Sequence, residues 1–165
     1  MVSLSDIKDY NHARISEEDF NLIRDTAQGV YVEVGTFHGA SAYAASENAL
    51  AIYSIDIYDW QPKVTDNPKI TYFKGTSEDF VKWWIGKEID TLFIDGSHEY
   101  DSVLKDCDAL IPLVKKGGTI MFDDYNVNNP ASGVCPAVNE AITKYNLTII
   151  KETNYPTCSV LVCKI

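Results

Sequence analysis

The stretch V-Y-V-E-V-G-T-F-H-G, residues 30–39, decides the fold. Residues 30–34 form a short apolar run rich in β-branched side chains. Such a run suits a strand buried on both faces, the kind found in parallel sheets. Gly35 lets the backbone turn sharply after the strand, and Gly39 lets a following helix pack close. The Ala-rich residues 40–50 predict that helix. Strand, glycine turn and helix open a βαβ unit, and ligands of such units bind beyond the carboxyl ends of the strands.

The alternation continues in both directions. Upstream, Ser16-Glu-Glu-Asp19 reads as a helix start, with Phe20, Ile23 and Ala27 at helical spacing and Gly29 as the stop. Downstream, residues 51–56, 70–74, 91–95 and 119–123 read as strands, and residues 77–85, 99–116 and 137–145 as helices. Pro112 is expected to bend the long helix and Gly117-Gly118 to end it. Residues 57–69, with Trp60, Pro62 and Pro68, read as a loop where a crossover helix would be usual. The last two strands, residues 147–151 and 158–164, are joined by too few residues for a crossover, so they pair antiparallel. The expected architecture is α/β: a Rossmann-like, doubly wound, mostly parallel seven-stranded sheet with a C-terminal antiparallel hairpin. Residues 1–165 form one domain, with residues 1–28 as an N-terminal cap-helix region.

Composition narrows the function. Hydrophobic residues make up 45% and charged residues 23% of the 165, the profile of a globular domain that needs no disulfide or metal to hold a core. The net charge of −10 disfavours nucleic acid and anionic membrane surfaces as partners, and favours a cationic ligand or divalent metal. No run approaches the length of a membrane span, and the first residues lack the order of a signal peptide. Cys107, Cys135, Cys158 and Cys163 show no metal-binding or redox spacing; they read as reduced structural thiols in a cytoplasmic protein.

Carboxylates gather at one predicted edge. Glu33 closes the first strand, Asp56 the second, Asp95 the fourth, and Asp123 with Asp124 the fifth. Turn chemistry accounts for any one of them. Together they would repel, so a cation should sit among them. The turn after the first strand is not G-x-G-x-x-G, because Phe37 stands where a glycine would let a pyrophosphate approach; a nucleoside without a diphosphate suits it better than NAD. Asp56, about 20 residues on, stands where a carboxylate accepts hydrogen bonds from ribose hydroxyls. Thr76-Ser77-Glu78-Asp79 opens a helix after the third strand, either as a plain cap or as a border for an adenine ring.

These motifs in this order resemble class I S-adenosylmethionine-dependent methyltransferases. E-V-G-T-F-H-G-A-S from Glu33 is similar to that family's glycine motif, and I-Y-S-I-D, ending at Asp56, to its ribose-binding acid. D-T-L-F-I-D-G-S-H-E-Y-D-S-V-L-K-D (residues 90–106), K-K-G-G-T-I-M-F-D-D-Y (residues 115–125) and G-V-C-P-A-V-N-E (residues 133–140) resemble the small-molecule and sugar O-methyltransferases, including macrocin O-methyltransferase-like enzymes. The resemblance implies that Glu33, Gly35, Thr36 and Ser41 surround the methionine part of the cofactor. His38 would touch it from the glycine loop, and Asp95 would border it. Asp56 would hold the ribose, and Thr76, Ser77 and Glu78 the adenine. Metal-dependent relatives bind magnesium through acids at the positions of Asp95, Asp123 and Asp124, and such hard oxygen ligands suit Mg²⁺. Catechol-type relatives carry a lysine where this chain has His98. An imidazole, which ordinarily titrates near ~6.5, suits proton abstraction at neutral pH. His98 and Asp95 are therefore the expected catalytic residues, and Ser97 departs from the acid that the sugar-modifying subgroup often carries there.

The expected activity is methyl transfer to a hydroxyl of a sugar or other small molecule, assisted by a metal. A non-catalytic S-adenosylmethionine-binding module is the alternative; the missing G-x-G-x-x-G opposes an NAD-dependent oxidoreductase. The loops at residues 57–69 and 126–136 are the expected substrate walls. The absence of a long lid leaves the site open, and a homo-oligomer would close it.

Overall fold

The computed structural model describes residues 1–7, 14–60, 67–85, 87–126, 128, 132–153 and 160–165. Five strands run parallel: β1 (Gly29–Val34), β2 (Ala49–Asp56), β3 (Ile70–Lys74), β4 (Ile89–Ile94) and β5 (Val114–Phe122). The last two, β6 (Thr148–Glu152) and β7 (Leu161–Lys164), pair antiparallel, and β7 also lies antiparallel against β5. The sheet order is β3-β2-β1-β4-β5-β7-β6, the expected doubly wound arrangement with its terminal hairpin.

Alternation along the strands divides the core between two faces. Val32, Leu92, Ile120 and Phe122 turn to the face covered by α3 (Ser77–Trp83), α4 (Tyr100–Leu110) and α5 (Val134–Tyr145), meeting Phe80, Val103, Cys107 and Val138. Tyr31, Phe93 and Met121 turn to the other face, against Phe20 and Ile23 of α1 (Glu17–Thr26) and Ala42 and Ala45 of α2 (Ala40–Ala45). The central strands are buried on both sides, so their lack of polar alternation is accounted for. Burial raises the thiols of Cys107 to about 12 and Cys163 to about 11, which leaves both inert at neutral pH. Cys158 lies outside the described residues.

Several boundaries differ from the sequence expectation. The helix expected over residues 40–50 ends at Ala45, and Ala49 and Leu50 already belong to β2. The Lys69 ammonium donates to the carbonyls of Ser46 (2.8 Å) and Ala49 (3.0 Å), satisfying acceptors at the helix end. The helix expected over residues 99–116 spans only Tyr100–Leu110; Ile111–Leu113 make one 3₁₀ turn, and β5 begins at Val114. Pro112 therefore ends the helix instead of bending it, because it lacks the N–H that would continue the ladder and its ring crowds the preceding turn. Gly117-Gly118 lie inside β5, where Gly117 takes φ +78° at an irregularity in the pairing with β4. The helix from Ser77 stops at Trp83, two residues early. The last strand is described only from Val160, and residues 61–66 of the expected loop lie outside the described residues.

The chain's two ends are joined by a buried carboxylate. Ser16 caps α1 by accepting the Asp19 N–H (3.0 Å), and the Asp19 carboxylate accepts the hydroxyls of Ser16 (2.6 Å) and Thr153 (3.1 Å). The Thr153 hydroxyl in turn accepts the Val160 N–H at 2.7 Å, just before β7. Removing this carboxylate takes an acceptor from the half-buried Ser16 hydroxyl and the buried Thr153 hydroxyl, at a cost of about 1–3 kcal/mol. Asp19→Ala is expected to lose that much in urea unfolding monitored by circular dichroism. A change within about 0.5 kcal/mol, ordinary for a surface site, would show that the junction holds without it.

Candidate active site

Parallel pairing sends the carboxyl ends of β1, β2, β4 and β5 to one edge. A cleft of about 800 Å³ opens there, lined by Gly35, Thr36, Ser41, Asp56, Thr76, Ser77, Glu78, Asp95, His98, Asp123 and Asp124, among others. All of these were expected from the sequence. Glu33 and His38, also expected, do not line it. Glu33 is fully buried beneath, and the His38 ring packs 4.0 Å from Phe37 and 6.0 Å from Trp60, centroid to centroid.

The glycine turn is fixed by a close approach. A Cβ on Gly35 would lie 1.8 Å from the Asp95 carbonyl oxygen, and its φ of +98° strains any side-chain-bearing residue. The backbones leaving β1 and β4 thus touch. Under the turn, the Glu33 carboxyl accepts the hydroxyls of Ser54 (2.6 Å) and Tyr31 (3.0 Å), and Ser41 also bonds to it. Burial raises this carboxyl to about 7, with the Asp56 charge adding and the three hydroxyls opposing. Tyr31, buried beside it, is raised well above the usual phenol range. Thr36 bonds Ser54 hydroxyl to hydroxyl at 2.7 Å, which extends the network to the cleft wall.

Asp95, Asp123 and Asp124 converge at the ends of β4 and β5, with one oxygen from each within 4.8 Å of the others. Burial comes first in raising both Asp95 and Asp123. Asp95 then feels the Asp123 charge and a side-chain hydrogen bond with Asp123, and Asp123 feels the Asp124 charge. Asp124 reaches the group because its backbone takes φ +53°, a left-handed conformation that Asp tolerates better than most residues. Its Oδ2 lies 2.8 Å from His98 Nε2. The His98 loop is held by the start of α5: Gly133 N–H donates to the His98 carbonyl (2.9 Å), and a Cβ on Gly133 would sit 2.2 Å from Tyr100 N.

At the far end of the cleft Thr76 serves as the N-cap of α3, its hydroxyl accepting the Asp79 N–H at 3.1 Å. Ser77 is buried and donates to Asp106 Oδ1 at 2.6 Å. Asp106, a cleft residue that sequence reasoning missed, sits on α4, and burial raises its carboxyl. Tyr58 and Trp60, from the segment expected as a substrate wall, also line the cleft, as do Arg14 and Lys105, which were not singled out beforehand. Arg14 stands over the Phe37 ring at 5.7 Å, and Trp60 packs edge-on to Phe37 at 5.0 Å.

Carboxyls raised in the folded chain make stability depend on pH. Glu33 binds its proton more tightly folded than unfolded, so its contribution is complete below about pH 4 and is lost as pH rises through about 7. Between about pH 5 and about pH 8 the melting temperature of Glu33→Gln is therefore expected to fall less than that of the native chain, in metal-free buffer. Parallel melting curves for the two proteins would remove Glu33 as a source of this dependence.

The profile of the family described as "Methyltransferase domain" matches residues 32–125, more than half of the chain. An uncharacterised protein of Acanthamoeba polyphaga mimivirus is 31% identical over 129 residues, covering 68% of this chain. The aligned part is 58% of that relative's length, so the chain spans only part of its curated relative. Among solved structures, an O-methyltransferase from Bacillus cereus in complex with S-adenosylhomocysteine superposes with a TM-score of 0.77 at 12% identity, over 98% of this chain and 90% of that one. The N-methyltransferase NodS from Bradyrhizobium japonicum, also with S-adenosylhomocysteine, gives 0.68 at 12% identity, over 89% and 85%. MycE methyltransferase of the mycinamycin pathway, in complex with Mg, S-adenosylhomocysteine and mycinamycin VI, gives 0.59 at 18% identity, over 89% of this chain and 48% of that one. At these identities the structures establish a shared fold, and the profile match, laid across the glycine turn and all four acidic strand ends, places the chain in the methyltransferase-domain family.

Proposed function

We propose that the chain is an S-adenosylmethionine-dependent O-methyltransferase of the macrocin-like kind, acting with a divalent metal on a hydroxyl of a sugar or other small molecule. Residues 1–165 act in this reading as one methyltransferase domain, with residues 1–28 as its cap region. The observation that carries it is the convergence of Asp95, Asp123 and Asp124 in the same cleft as the glycine turn and Asp56. A reducing, cytoplasmic setting is part of this reading, because the cysteine spacing carries no redox or metal motif.

The donor set fits Mg²⁺. Three carboxylates with oxygens within 4.8 Å of one another repel, and a hard divalent cation would offset that repulsion. Bound there, the metal would supply Lewis acidity, lowering the pKa of an acceptor hydroxyl. Asp95, Asp123 and Asp124 would be its ligands. Glu33 and Ser41 shape the methionine end, Asp56 the ribose, and Thr76, Ser77 and Glu78 the adenine.

S-adenosylmethionine supplies an electrophilic methyl group on a sulfonium. In the transfer an O–CH₃ bond forms as the S–CH₃ bond breaks, and the hydroxyl proton must leave. His98 is placed to take it: with Nε2–H donated to Asp124, Nδ1 keeps the lone pair of a base. The residues around the cleft otherwise work by position, since in-line displacement depends on alignment.

Calorimetric titration with S-adenosylhomocysteine is expected to show micromolar binding, and no binding by folded protein would remove the cofactor reading. Mn²⁺ titration should show one site in the native chain and none in Asp123→Asn/Asp124→Asn, with S-adenosylhomocysteine affinity kept within a few-fold. Equal Mn²⁺ binding by both proteins, or full turnover in excess EDTA, would exclude the metal role. With an acceptor found by screening catechols and glycosides, His98→Ala should lower kcat about 10²-fold. An unchanged rate would reassign His98 to structure.

A further inference from the structure

Part of the cleft wall is aromatic and has no task in cofactor or metal binding. Phe37 of the glycine turn packs edge-on against Trp60 at 5.0 Å, and Trp60 against Tyr58 at 5.7 Å, centroid to centroid. Ile57 and Tyr58 leave 58% and 64% of their surface open to water, and all four residues line the cleft. Large apolar side chains left in water on a concave wall mark a surface that a ligand covers. Rings standing at angles to one another offer a flat guest both a face and an edge.

An arginine stands at this wall with its donors free. Arg24, the other arginine of the chain, donates to Asp25, Asn21 and the Val2 carbonyl. Arg14 lines the cleft and makes no ion pair or side-chain hydrogen bond among the described residues. Its guanidinium lies over the Phe37 ring at 5.7 Å. Stacking occupies the guanidinium face and leaves the N–H edge, which grips a carboxylate through two parallel bonds. Arg14 holds this place with φ +49°, an uncommon backbone conformation for an arginine. A guanidinium here attracts an anion that the acids at the ends of β4 and β5 would repel.

We infer that the acceptor is a hydroxylated aromatic acid, its ring against Phe37, Tyr58 and Trp60 and its carboxylate on Arg14. A neutral sugar could cover the rings but would leave Arg14 to water. A phenolic hydroxyl, which titrates near ~10, also ionises far more readily than an alcohol. The methyl group passes from the sulfonium sulfur to the phenolic oxygen, S-adenosylhomocysteine leaves, and the phenolic proton goes to the base. This inference names the substrate class of the O-methyltransferase reading and rests on it; the carboxylate site at Arg14 stands without it.

Calorimetry on protein saturated with S-adenosylhomocysteine and Mg²⁺ compares 3,4-dihydroxybenzoate with catechol, which lacks only the carboxylate. The native chain is expected to bind the acid at least about tenfold more tightly. Arg14→Gln should bring the two within about twofold by weakening the acid alone, and Arg14→Lys, with the charge but no fork, should fall between. Trp60→Ala should weaken both ligands at least about threefold. Equal binding of the two by the native chain, a preference that survives Arg14→Gln, no effect of Trp60→Ala, or no binding of either ligand would overturn the inference. So would an Arg14→Gln variant that loses S-adenosylhomocysteine but keeps 5′-methylthioadenosine, which has no amino-acid tail, because Arg14 would then serve the cofactor's own carboxylate. No binding of S-adenosylhomocysteine by the native chain would instead remove the cofactor reading. The same two ligands titrated without it would still test the carboxylate site at Arg14.

Discussion

The contact between Gly35 and the carbonyl of Asp95 is the point on which the molecule turns. β1 sits mid-sheet, with β2 and β3 on one side and β4 and β5 on the other, so the chain changes direction across the sheet at this place. The loops leaving β1 and β4 would part there, and a crevice is the usual result. Here the crevice has a floor in which two backbones touch, because no side chain stands on Gly35. The same contact brings the glycine turn and the Asp95 carboxylate into one wall. A binding cleft and an acidic cluster thus share a single backbone constraint.

The electrostatics follow from that geometry. Adjacent parallel strands in register end together, and β4 and β5 each end in acid. Burial then turns their proximity into a cost that water would otherwise screen. It shows as the raised Asp95 and Asp123 carboxyls, and the His98 contact to Asp124 relieves part of it. On the β1 side, hydroxyls of Ser54, Tyr31 and Ser41 do for Glu33 what no cation does. The site therefore has two halves of different character. One is a hydroxyl-buffered carboxyl under the glycine turn, the other a crowded trio of acids.

Strand positions were legible in the sequence because the central strands are buried on both faces and stand out as short β-branched runs. The acids were legible because they follow those runs directly. Helix ends were not. Ala49 and Leu50 continue an alanine-rich pattern that reads as helix, and the Lys69 ammonium that binds the Ser46 and Ala49 carbonyls where the helix stops comes from 20 or more residues away. Residues 114–118 look like a helix tail because an irregular strand start has no periodicity of its own. Asp106 was hidden for a related reason: it neighbours the core residue Cys107, and its partner Ser77 lies 29 positions away. Thr76 shows the opposite case, since its cap role was readable locally from the capping pattern. Gly133 was quoted as part of a motif, but its tight seat against Tyr100 depends on two loops meeting.

The hydrogen bond between Asp19 and Thr153 spans 134 positions, close to the whole chain. Loop closure over that distance is entropically costly, and contacts of such separation form late. The βαβ unit from β1 to β2 joins neighbours in sequence and can assemble first. Synthesis then sets an order: α1 emerges well before Thr153, the hydroxyl that donates to Asp19. The acids of β5 gain the flanking strand β7 at that same late moment. A nascent chain stopped short of β7 would expose the edge of β5, with Met121 and Phe122 beside it, as a sticky surface. Pairing of β7 is thus the step that covers the edge of β5.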